Sequence, residues 1–375
     1  MKILFLCGCL EPGCDGVGDY TRMLSAEVIR QGHDAFIISF NDHFIQDTGS
    51  GCQFTTGISI PVYRISSNHP EKDRIALAHS IVQSFDPDWI SIQFVPFSFH
   101  RKGLSFHLGK RLKQIAGVRN VHIMFHELWV GKENIKNLIL SSLQQLLVTN
   151  FIHTLKPHVI HTHLPVYRIK LNTIGVSANS LTLFSNIPVY NTAIPKDDHK
   201  FSIGFFSQVS ASPDIIKFMS RINDQVGRSG KELEVIMIGG NKITMHSAGD
   251  FIEQSLQLKN KVVYTGKVPP EVISCHIQRC NLGVTPLPLH ALGKSGTVAT
   301  FLAHGIPVAV PSWQNKNSKN DLPFFSSAMQ SSLLLEPEIG HMHRLACAAC
   351  KSRSELDLKT ITKKFLSDLN PIKGE

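Results

Sequence analysis

Apolar stretches of strand length alternate with amphipathic stretches of helical length along most of the chain. A first series has helical stretches at 18–31 and 74–85, and a second series has them at 213–226 and 270–279. Strands alternating with helices of this length predict parallel sheets covered on both faces. We therefore expect an α/β fold with two Rossmann-like, doubly wound domains. The predicted strands are 2–9, 35–40, 62–65, 89–94, 121–125, 159–162, 201–206, 234–238, 262–264, 282–285 and 306–310.

A polar segment separates the two series. Residues 187–200 contain two prolines and a run of charged side chains, and the apolar pattern restarts directly afterwards. Two helical segments close the chain, and a length of 375 residues suits two sizeable cores. The predicted domains are 1–190 and 200–350, followed by a C-terminal helix over 351–375.

Composition narrows the class of protein. Hydrophobic residues make up 42% of the chain, and no stretch is expected to reach the ~20 apolar residues that span a bilayer. The opening MKILFLCGCL runs into a Glu-Pro pair, which favours a buried first strand over a signal peptide and predicts a cytoplasmic protein. His161 with His163, and Cys347 with Cys350, make incomplete ligand sets, so no metal is expected.

The formal net charge of +9 predicts an anionic partner. Basic and apolar residues are interleaved over 101–119. This pattern fits a helix lying on anionic lipid, but it is more typical of a solvated helix that packs its apolar face on the domain. The sequence has no motif typical of nucleic-acid binding, so nucleic acid is not the expected partner.

Ligands of doubly wound folds bind at the carboxyl ends of the strands, so candidate residues are sought in the loops that follow strands. The loop after the first strand contains Gly16 and Gly18, but its glycine order differs from the dinucleotide-binding fingerprint. Asp42, at the end of the second strand, still leaves a ribose-binding role in an NAD-dependent oxidoreductase open.

Three further loops carry polar residues directly after a strand. His126 and Glu127 follow the strand 121–125 and could bind a polar ligand or act in acid–base chemistry. The second half contributes Ser207 after one strand, and Gly239 with Lys242 after the next.

Residues 293–297, Gly-Lys-Ser-Gly-Thr, precede a short apolar helix. Backbone N–H groups at a helix N-terminus, close glycines and a lysine together form a site suited to phosphate. The alternative is an ordinary helix start that is capped by Ser295 or Thr297.

Several segments resemble the family 4 glycosyltransferases of the GT-B fold. Residues 16–40, GVGDYTRMLSAEVIRQGHDAFIISF, resemble that family's N-terminal loop, helix and Gly-His turn. Residues 262–310, which end in GKSGTVATFLAHGIPVAV, resemble its donor-binding half. The acceptor-side segments of the family resemble 91–100 and 124–129. The resemblance implies two domains facing a central cleft and metal-independent, retaining transfer from a nucleotide-sugar.

The resemblance also implies roles for the candidate residues. His126 would contact the sugar near the reacting centre, and Glu127 would orient the acceptor. The phosphates of the donor would be bound by one group of residues, and its nucleotide by another. The phosphate group is Lys294, Ser295, Gly296 and Thr297, with Gly16 and Gly18 opposite, and the nucleotide group is Ser207, Gly239 and Lys242.

The chain departs from the family in two functional features. The family carries two glutamates eight positions apart, and these positions hold Leu292 and Thr300 here. The usual Arg and Lys-Gly pair are also absent from 207–214. A non-catalytic, nucleotide-sugar-binding relative is therefore an alternative to an enzyme. For an enzyme of polysaccharide biosynthesis, we expect a lipid-linked or anionic glycan acceptor and peripheral contact with the inner face of the membrane through 101–119.

Overall fold

The computed structural model describes residues 1–99, 102–131, 135–191, 195–258, 261–312 and 326–370. Two compact units are present, each with its own sheet and core. The first contains Met1–Leu181 and the chain from Ile361 onward, and the second is Thr182–Thr360. The predicted α/β class with two Rossmann-like units is confirmed.

The first unit is built on an eight-stranded sheet of order β3-β4-β2-β1-β5-β6-β7-β8. All neighbouring strands are parallel except β3 and β4, which form an antiparallel hairpin at one edge. The strand order reverses between β1 and β5, which makes that position the topological switch point of the unit. The strands are β1 (Lys2–Cys7), β2 (Asp34–Asp42), β3 (Gly49–Thr55), β4 (Ile58–Ser66), β5 (Trp89–Phe94), β6 (Asn120–Phe125), β7 (Val159–Thr162) and β8 (Asn179–Ser180).

Helices cover this sheet, and the chain's last described helix returns to it. Phe365 of that final helix is fully buried, and its ring lies 6.0 Å from the ring of Phe5 on β1. The sequence predicted a separate segment over 351–375, whereas the end of this helix belongs with the first unit. The helices are α1 (Gly16–Arg30), α2 (Glu71–Phe85), α3 (Pro96–Phe99), α4 (Leu108–Ala116), α5 (Ile135–Leu155), α6 (Pro165–Asn172) and α13 (Leu358–Leu369).

The second unit has a six-stranded, wholly parallel sheet of order β11-β10-β9-β12-β13-β14. Its order reverses between β9 and β12. The strands are β9 (Lys200–Phe206), β10 (Glu232–Ile238), β11 (Val262–Gly266), β12 (Leu282–Val284), β13 (Val308–Ala309) and β14 (Leu333–Leu334). The helices are α7 (Pro213–Arg228), α8 (Lys242–Ser255), α9 (Pro270–Arg279), α10 (Gly296–Ala303), α11 (Ser327–Ser331) and α12 (Met342–Ser352).

A glycine on β12 lets α10 pack close to the sheet. A Cβ atom on Gly283 would lie 2.5 Å from the ring of Phe301, which is fully buried on α10. Gly204 on the adjacent β9 gives the same ring room, with a Cβ atom 3.2 Å away. The two glycines therefore set how closely the helix approaches the switch point.

Three predicted bounds differ from the structure. The helix expected from Gly18 begins at Gly16, because the Asp15 side chain caps it by accepting hydrogen bonds from two backbone N–H groups. The strand expected at 306–310 covers only Val308–Ala309, since the Ile306 N–H is bonded back to α10. The division between units follows Leu181, before the predicted linker at 187–200.

Helix α5 is a further difference from expectation. Over Lys136–Leu155 it is long and apolar enough to cross a membrane, by length and composition alone, with a mean hydropathy of 1.2. The expectation that no stretch approaches this length was therefore wrong. About a third of the segment, 33%, is buried inside the protein, and its buried face includes Val148 and Phe151 of the first core. The helix is consequently weak support for a membrane span.

Candidate functional site

The carboxyl ends of β10, β9 and β12 lie side by side in the second unit, next to the switch point. In open α/β sheets this edge is where ligands bind. The structure places the candidate residues Ser207 and Gly239 directly after β9 and β10, and α10 begins after the loop that follows β12. Ser207 and Gly239 therefore lie on loops that follow strands, where the sequence placed them.

The N-terminus of α10 is fixed by two hydroxyl groups. Ser295 is the N-cap, and its side chain accepts a hydrogen bond from the N–H of Val298 at 3.3 Å. The buried Thr297 donates its hydroxyl proton to the carbonyl oxygen of Phe206, 3.1 Å away, at the last residue of β9. The first turn of α10 is therefore tied to the sheet at the switch point.

Lys294 is the last residue of a 3-10 helix, Leu289–Lys294, and its side chain is exposed beside the α10 cap. Gly296 follows the cap, and a Cβ atom there would lie 2.9 Å from Nδ2 of Asn186. The helix start thus combines a cation, close-approaching backbone and N–H groups that helix geometry leaves unpaired. These features suit an anion, and phosphate binding at this helix start stays a prediction.

The loops after β9 and β10 are in contact with each other, and both contain a residue with left-handed backbone conformation. Ser207 has φ of 60°, uncommon for a residue with a side chain, and its N–H donates to the carbonyl of Ile238 at 2.9 Å. Gly239 has φ of 62°, and its N–H donates to Oγ1 of Thr265 at 3.0 Å. A Cβ atom on Gly240 would lie 2.9 Å from the Ser207 carbonyl oxygen. Both loops are therefore held at the strand edge.

Lys242 stands apart from these contacts, as the exposed first residue of α8. The helix is capped by Asn241, whose side chain accepts from the N–H of Thr244 at 3.2 Å. The structure thus gives a second capped helix start on the same unit, with a lysine in its first turn.

The two positions where the family has glutamates are used for packing. Leu292 is buried in the apolar core. Thr300 is fully buried, and its hydroxyl donates to the Gly296 carbonyl at 2.7 Å and accepts from Oγ of Ser185 at 3.1 Å. Neither side chain supplies a carboxylate.

In the first unit, Gly16 and Gly18 occupy the first turn of α1, after β1. Gly16 is exposed, and a Cβ atom there would meet nothing within 4 Å. Gly18 is buried, and a Cβ atom there would lie 2.7 Å from the Cys9 carbonyl oxygen. Gly18 is therefore required for the close approach of α1 to the strand end, whereas Gly16 is open to solvent.

His126 follows β6 and is buried, with both ring nitrogens in hydrogen bonds. Its Nε2 lies 2.9 Å from Oε1 of Gln93, and its Nδ1 lies 3.1 Å from Nε2 of His163. Burial, and then the charge of His163, hold the pKa of His126 well below its usual range. The ring is therefore neutral and contacts a ligand only by exchanging one of these bonds. Glu127 beside it is half-buried.

Asp42 is not placed to bind a ribose. Its carboxylate is fully buried and accepts hydrogen bonds from Nε of Arg64 at 2.7 Å, Oγ of Ser39 at 2.9 Å and the N–H of Leu10 at 3.2 Å. Burial raises the pKa of Asp42, but the bonds from Arg64 and Ser39 outweigh it and hold the pKa below the ordinary value. The Asp42 carboxylate is therefore used in hydrogen bonds within the first unit, which weakens the case for an oxidoreductase.

Sequence reasoning missed Gln93 and His163 as neighbours of His126. Gln93 is the penultimate residue of β5 and His163 follows β7, so both lie near the carboxyl ends of the strands on either side of β6. The signal was present as polar residues at alternate positions of apolar strands, Ser91 with Gln93 and His161 with His163. Across the described residues, no group of three or more His, Cys, Asp or Glu side chains is arranged to hold a metal ion.

Of the comparisons with known proteins, the one with solved structures finds similar folds. No family model matches the sequence, and no curated protein matches it either. Among solved structures, Anabaena HepE in complex with UDP-glucose has a TM-score of 0.57 and 14% identity, covering 99% of this chain and 100% of its own. An E. coli trehalose-6-phosphate protein bound with UDP-2-fluoro glucose has a TM-score of 0.60 and 10% identity, covering 99% of both chains.

The lipopolysaccharide outer core galactosyltransferase WaaB, in its apo form, has a TM-score of 0.60 and 13% identity, covering 99% of both chains. These neighbours are glycosyltransferases of the GT-B fold. At such low identity the likeness establishes the fold of this chain, and the activity is argued from its own residues.

Proposed function

We propose that the protein is a glycosyltransferase that moves a sugar from a nucleotide-sugar to an acceptor hydroxyl, with retention and without a metal ion. One observation carries the proposal: Thr297 ties the N-terminus of α10 to Phe206, at the strand edge where ligands bind in such sheets. A helix start held there offers backbone N–H groups to a diphosphate. The UDP-glucose held by HepE makes a UDP-sugar the first donor to test.

The mechanism follows from the charge of the leaving group. Breaking the bond between the anomeric carbon and the diphosphate leaves negative charge on the phosphate oxygens. Backbone N–H groups at α10 and the ammonium of Lys294 stabilise that charge, which is the task a divalent cation would otherwise perform. Ser295 and Thr297 hold the cradle in place, and Gly296 contributes its backbone N–H.

Other residues are assigned to the rest of the donor. Ser207, Gly239 and Lys242 are proposed to contact the nucleotide, because the first two follow strands next to α10 and the third begins a helix of the same unit. Gly16 and Gly18, at the start of α1, are proposed to contribute to phosphate binding.

His126 and Glu127 are proposed to act on the sugar and the acceptor. A neutral imidazole can donate a hydrogen bond from Nε2 to a sugar hydroxyl in place of Gln93. Retention rests on the resemblance to family 4, and no protein base is assigned. We propose a cytoplasmic enzyme of polysaccharide biosynthesis, acting on a lipid-linked or anionic glycan.

The experiment that tests this function separates binding from transfer. Isothermal titration with UDP, GDP and NAD should give heat with a nucleoside diphosphate and none with NAD. A crystal of the complex should then place the diphosphate within hydrogen-bond distance of the Gly296 and Thr297 N–H groups. Diphosphate bound elsewhere, or binding of NAD alone, would contradict the proposal.

The alternative of a non-catalytic relative is favoured by Leu292 and Thr300, which replace both family glutamates. Release of free UDP from a panel of UDP-sugars, with and without short glycan acceptors, distinguishes the two functions. Release that depends on an acceptor supports a transferase. Tight binding without release, in every combination of donor and acceptor, supports the binding protein.

We further propose that the first unit contacts an anionic membrane through the 101–119 segment together with α5. Arg101 lies outside the described residues. Neither 102–119 nor 136–158 contains an Asp or Glu, and α4 packs on α5, where a Cβ atom on Gly109 would lie 3.0 Å from the side chain of Thr154. This basic surface also exposes large apolar side chains. They are Phe106, Leu138, Ile139, Leu143 and Leu146, the last 65% exposed.

Cosedimentation with phosphatidylcholine vesicles, with and without phosphatidylglycerol, tests this contact. Binding should need the anionic lipid. It should weaken in Leu146→Ser, which reduces the apolar contact with lipid, and in Lys113→Glu, which reduces the attraction between the basic surface and the anionic headgroups. Ile243→Ser is a matched control, because Ile243 is 80% exposed on α8 of the other unit. Equal binding of all variants would overturn the proposed contact and leave the donor site untouched.

A further inference from the structure

A continuous chain of buried hydrogen bonds crosses the first unit, from the strand ends beside His126 to the final helix. We call it the histidine chain. Its members come from β5, β6, β7, the residues directly after β6 and β7, and α13, with the Leu181 carbonyl at one end and the Asp368 carboxylate at the other. The contacts are Leu181 O to His163 Nδ1 (2.9 Å), His163 Nε2 to His126 Nδ1 (3.1 Å), His126 Nε2 to Gln93 Oε1 (2.9 Å), Gln93 Nε2 to Ser91 Oγ (2.8 Å), Ser91 Oγ to His122 Nδ1 (2.8 Å), His122 Nε2 to His161 Nδ1 (2.9 Å) and His161 Nε2 to Asp368 Oδ2 (2.8 Å).

The histidine chain forms because alternate residues of three adjacent parallel strands point to one face of the sheet. Two aromatic side chains from helices cover it. The ring of Phe365 on α13 lies 5.2 Å from the ring of His122. The ring of Tyr20 on α1 lies 4.8 Å from that of His126. Water is thus kept from the middle of the chain, and its members satisfy one another.

Counting protons shows that the neutral chain is incomplete. Each of the seven contacts needs one proton between its two heavy atoms. The carboxylate of Asp368 and the carbonyl of Leu181 both accept, so every proton must come from the members between them. Four neutral imidazoles, one hydroxyl and one amide N–H supply one each, which makes six. One contact therefore lacks its proton.

The orientation of Gln93 determines where that gap lies. Its amide nitrogen points to Ser91 and its oxygen to His126. Every proton from Asp368 to Gln93 is then assigned, and His126 donates from Nε2. The gap falls on the far side of His126, at the contact with His163 or at the contact of His163 with Leu181.

A seventh proton is best held at the Asp368 end. The groups that titrate and face His161 there are Asp368 and Lys364 from α13 and His122 from β6. The Asp368 side chain is 20% exposed and carries the compensating charge. At the other end Leu181 offers only a neutral carbonyl, and burial lowers the pKa of His163 to about 4.

We propose that the histidine chain binds a single proton at His161, against Asp368, and that this proton reverses the direction of the chain. His161 then donates from both nitrogens, and His122 and Ser91 pass the reversal to Gln93, whose amide turns over. The four hydrogen bonds between His161 and His126 change direction, His126 then donates from Nδ1 to His163, and the contact that lacked a proton gains one. Nε2 of His126 changes from a donor into an acceptor.

The consequence reaches the candidate site through His126, and this last step rests on the proposed function. The relay through Gln93 sets the His126 tautomer before a sugar displaces Gln93. In one state His126 Nε2 can then donate to a sugar hydroxyl, and in the other it can only accept from one. Asp368 and His161 are positioning residues in this scheme, since they act on the site only through the chain.

The experiment reads the tautomers directly. Histidine labelled with nitrogen-15 in the whole protein reports, by NMR, which ring nitrogen carries the proton at each pH. Below pH 6.5, His161 should become doubly protonated while His122 moves its proton from Nε2 to Nδ1 in the same titration. Burial lowers the pKa of His161 and Asp368 opposes this, so the step belongs below the ordinary histidine range. Titration of His161 with His122 unchanged would overturn the proposal.

Two variants isolate the coupling. Asp368→Asn removes the counter-charge and should abolish proton uptake at His161 while the protein stays folded. Asp357→Asn is the matched control, because its carboxylate accepts from the Thr360 N–H at 2.9 Å, before α13, and an asparagine can do the same. A titration in Asp368→Asn equal to that in Asp357→Asn would refute the scheme.

Gln93→Met cuts the chain in the middle. His161 and His122 should still titrate together, while the tautomer of His126 should no longer follow them. If His126 follows them in this variant, the relay through Gln93 is wrong. None of these readouts uses a donor or an acceptor, so a failed transfer assay leaves this test intact, and a failed titration leaves the proposed transferase intact.

Discussion

The hydroxyl of Thr297 donates to the carbonyl oxygen of Phe206 across 3.1 Å and joins the first turn of α10 to the last residue of β9. The two residues are 91 positions apart in the sequence, yet they meet at the switch point of the second unit. A phosphate cradle needs fixed N–H groups, because donors that are already oriented pay no reorganisation cost when charge develops. This contact fixes them to the sheet.

Thr297→Val should therefore weaken both the fold and ligand binding. The Phe206 carbonyl would keep the Gln208 N–H but lose the Thr297 hydroxyl, and we expect the free energy of unfolding to fall by about 1 kcal/mol. The dissociation constant for UDP should rise by a similar free energy, about fivefold. Urea unfolding and isothermal titration measure the two effects. Thr297→Ser keeps the hydroxyl and should retain the UDP affinity; equal affinity in Val and Ser variants would contradict the role.

Lys294→Ala should lower turnover without changing stability. The side chain is exposed, so its removal leaves no cavity, but one charge-assisted contact to phosphate is worth roughly 1.5–3 kcal/mol, about ten- to a hundredfold in rate. Steady-state kinetics with a UDP-sugar and a thermal melt measure this.

Lys231→Ala provides the control for the loss of a positive charge. Lys231 is exposed and precedes β10, at the amino edge of the same sheet. Its removal should leave turnover unchanged. A near-normal rate in Lys294→Ala, or an equal loss in both variants, would remove Lys294 from the mechanism.

Gly16→Ala and Gly18→Ala should behave differently although the glycines are two residues apart. A Cβ atom at Gly18 would lie 2.7 Å from the backbone oxygen of Cys9, so we expect a loss of about 1–3 kcal/mol from overpacking. A Cβ atom at Gly16 meets nothing within 4 Å, and alanine there should leave stability unchanged or raise it slightly.

Ligand binding then separates packing from function at the same helix start. If phosphate approaches Gly16 closely, Gly16→Ala should weaken UDP binding in a fully stable protein. Unchanged affinity would limit the first turn of α1 to a structural role.

The parts of the fold that sequence predicted are those where burial dominates. The central strands β1, β5 and β6 are buried along nearly their whole length and appear as apolar runs. The hairpin strand β3, GSGCQFT, is mostly exposed and has no such run, so it was missed. Helix α5 was missed because its apolar residues lie on most faces, and the 3.6-residue period is lost.

The candidate site divides in the same way. The position of Ser207 and Thr297 at strand ends follows from a rule of parallel sheets, so sequence could predict it. The contacts of His126 with Gln93 and His163 could not be predicted, because they depend on strand register. The contact of His161 with Asp368 could not be predicted either, because the two residues are 207 positions apart. Local patterns do not encode contacts of that range.

Mild acid should destabilise the protein, because buried histidines bind protons less readily in the folded state. Burial holds the pKa of His122, His126 and His163 well below the ordinary value of about 6.5, to about 4 for His163. Their stabilisation is complete above pH 6.5 and is lost as the pH falls towards the folded-state pKa. Each contributes about 1.4 kcal/mol per pH unit in that window.

His163→Gln should flatten the slope of unfolding free energy against pH by one proton, measured by urea unfolding between pH 7.5 and 5. An unchanged slope in this variant would show that His163 is protonated equally in the folded and unfolded states.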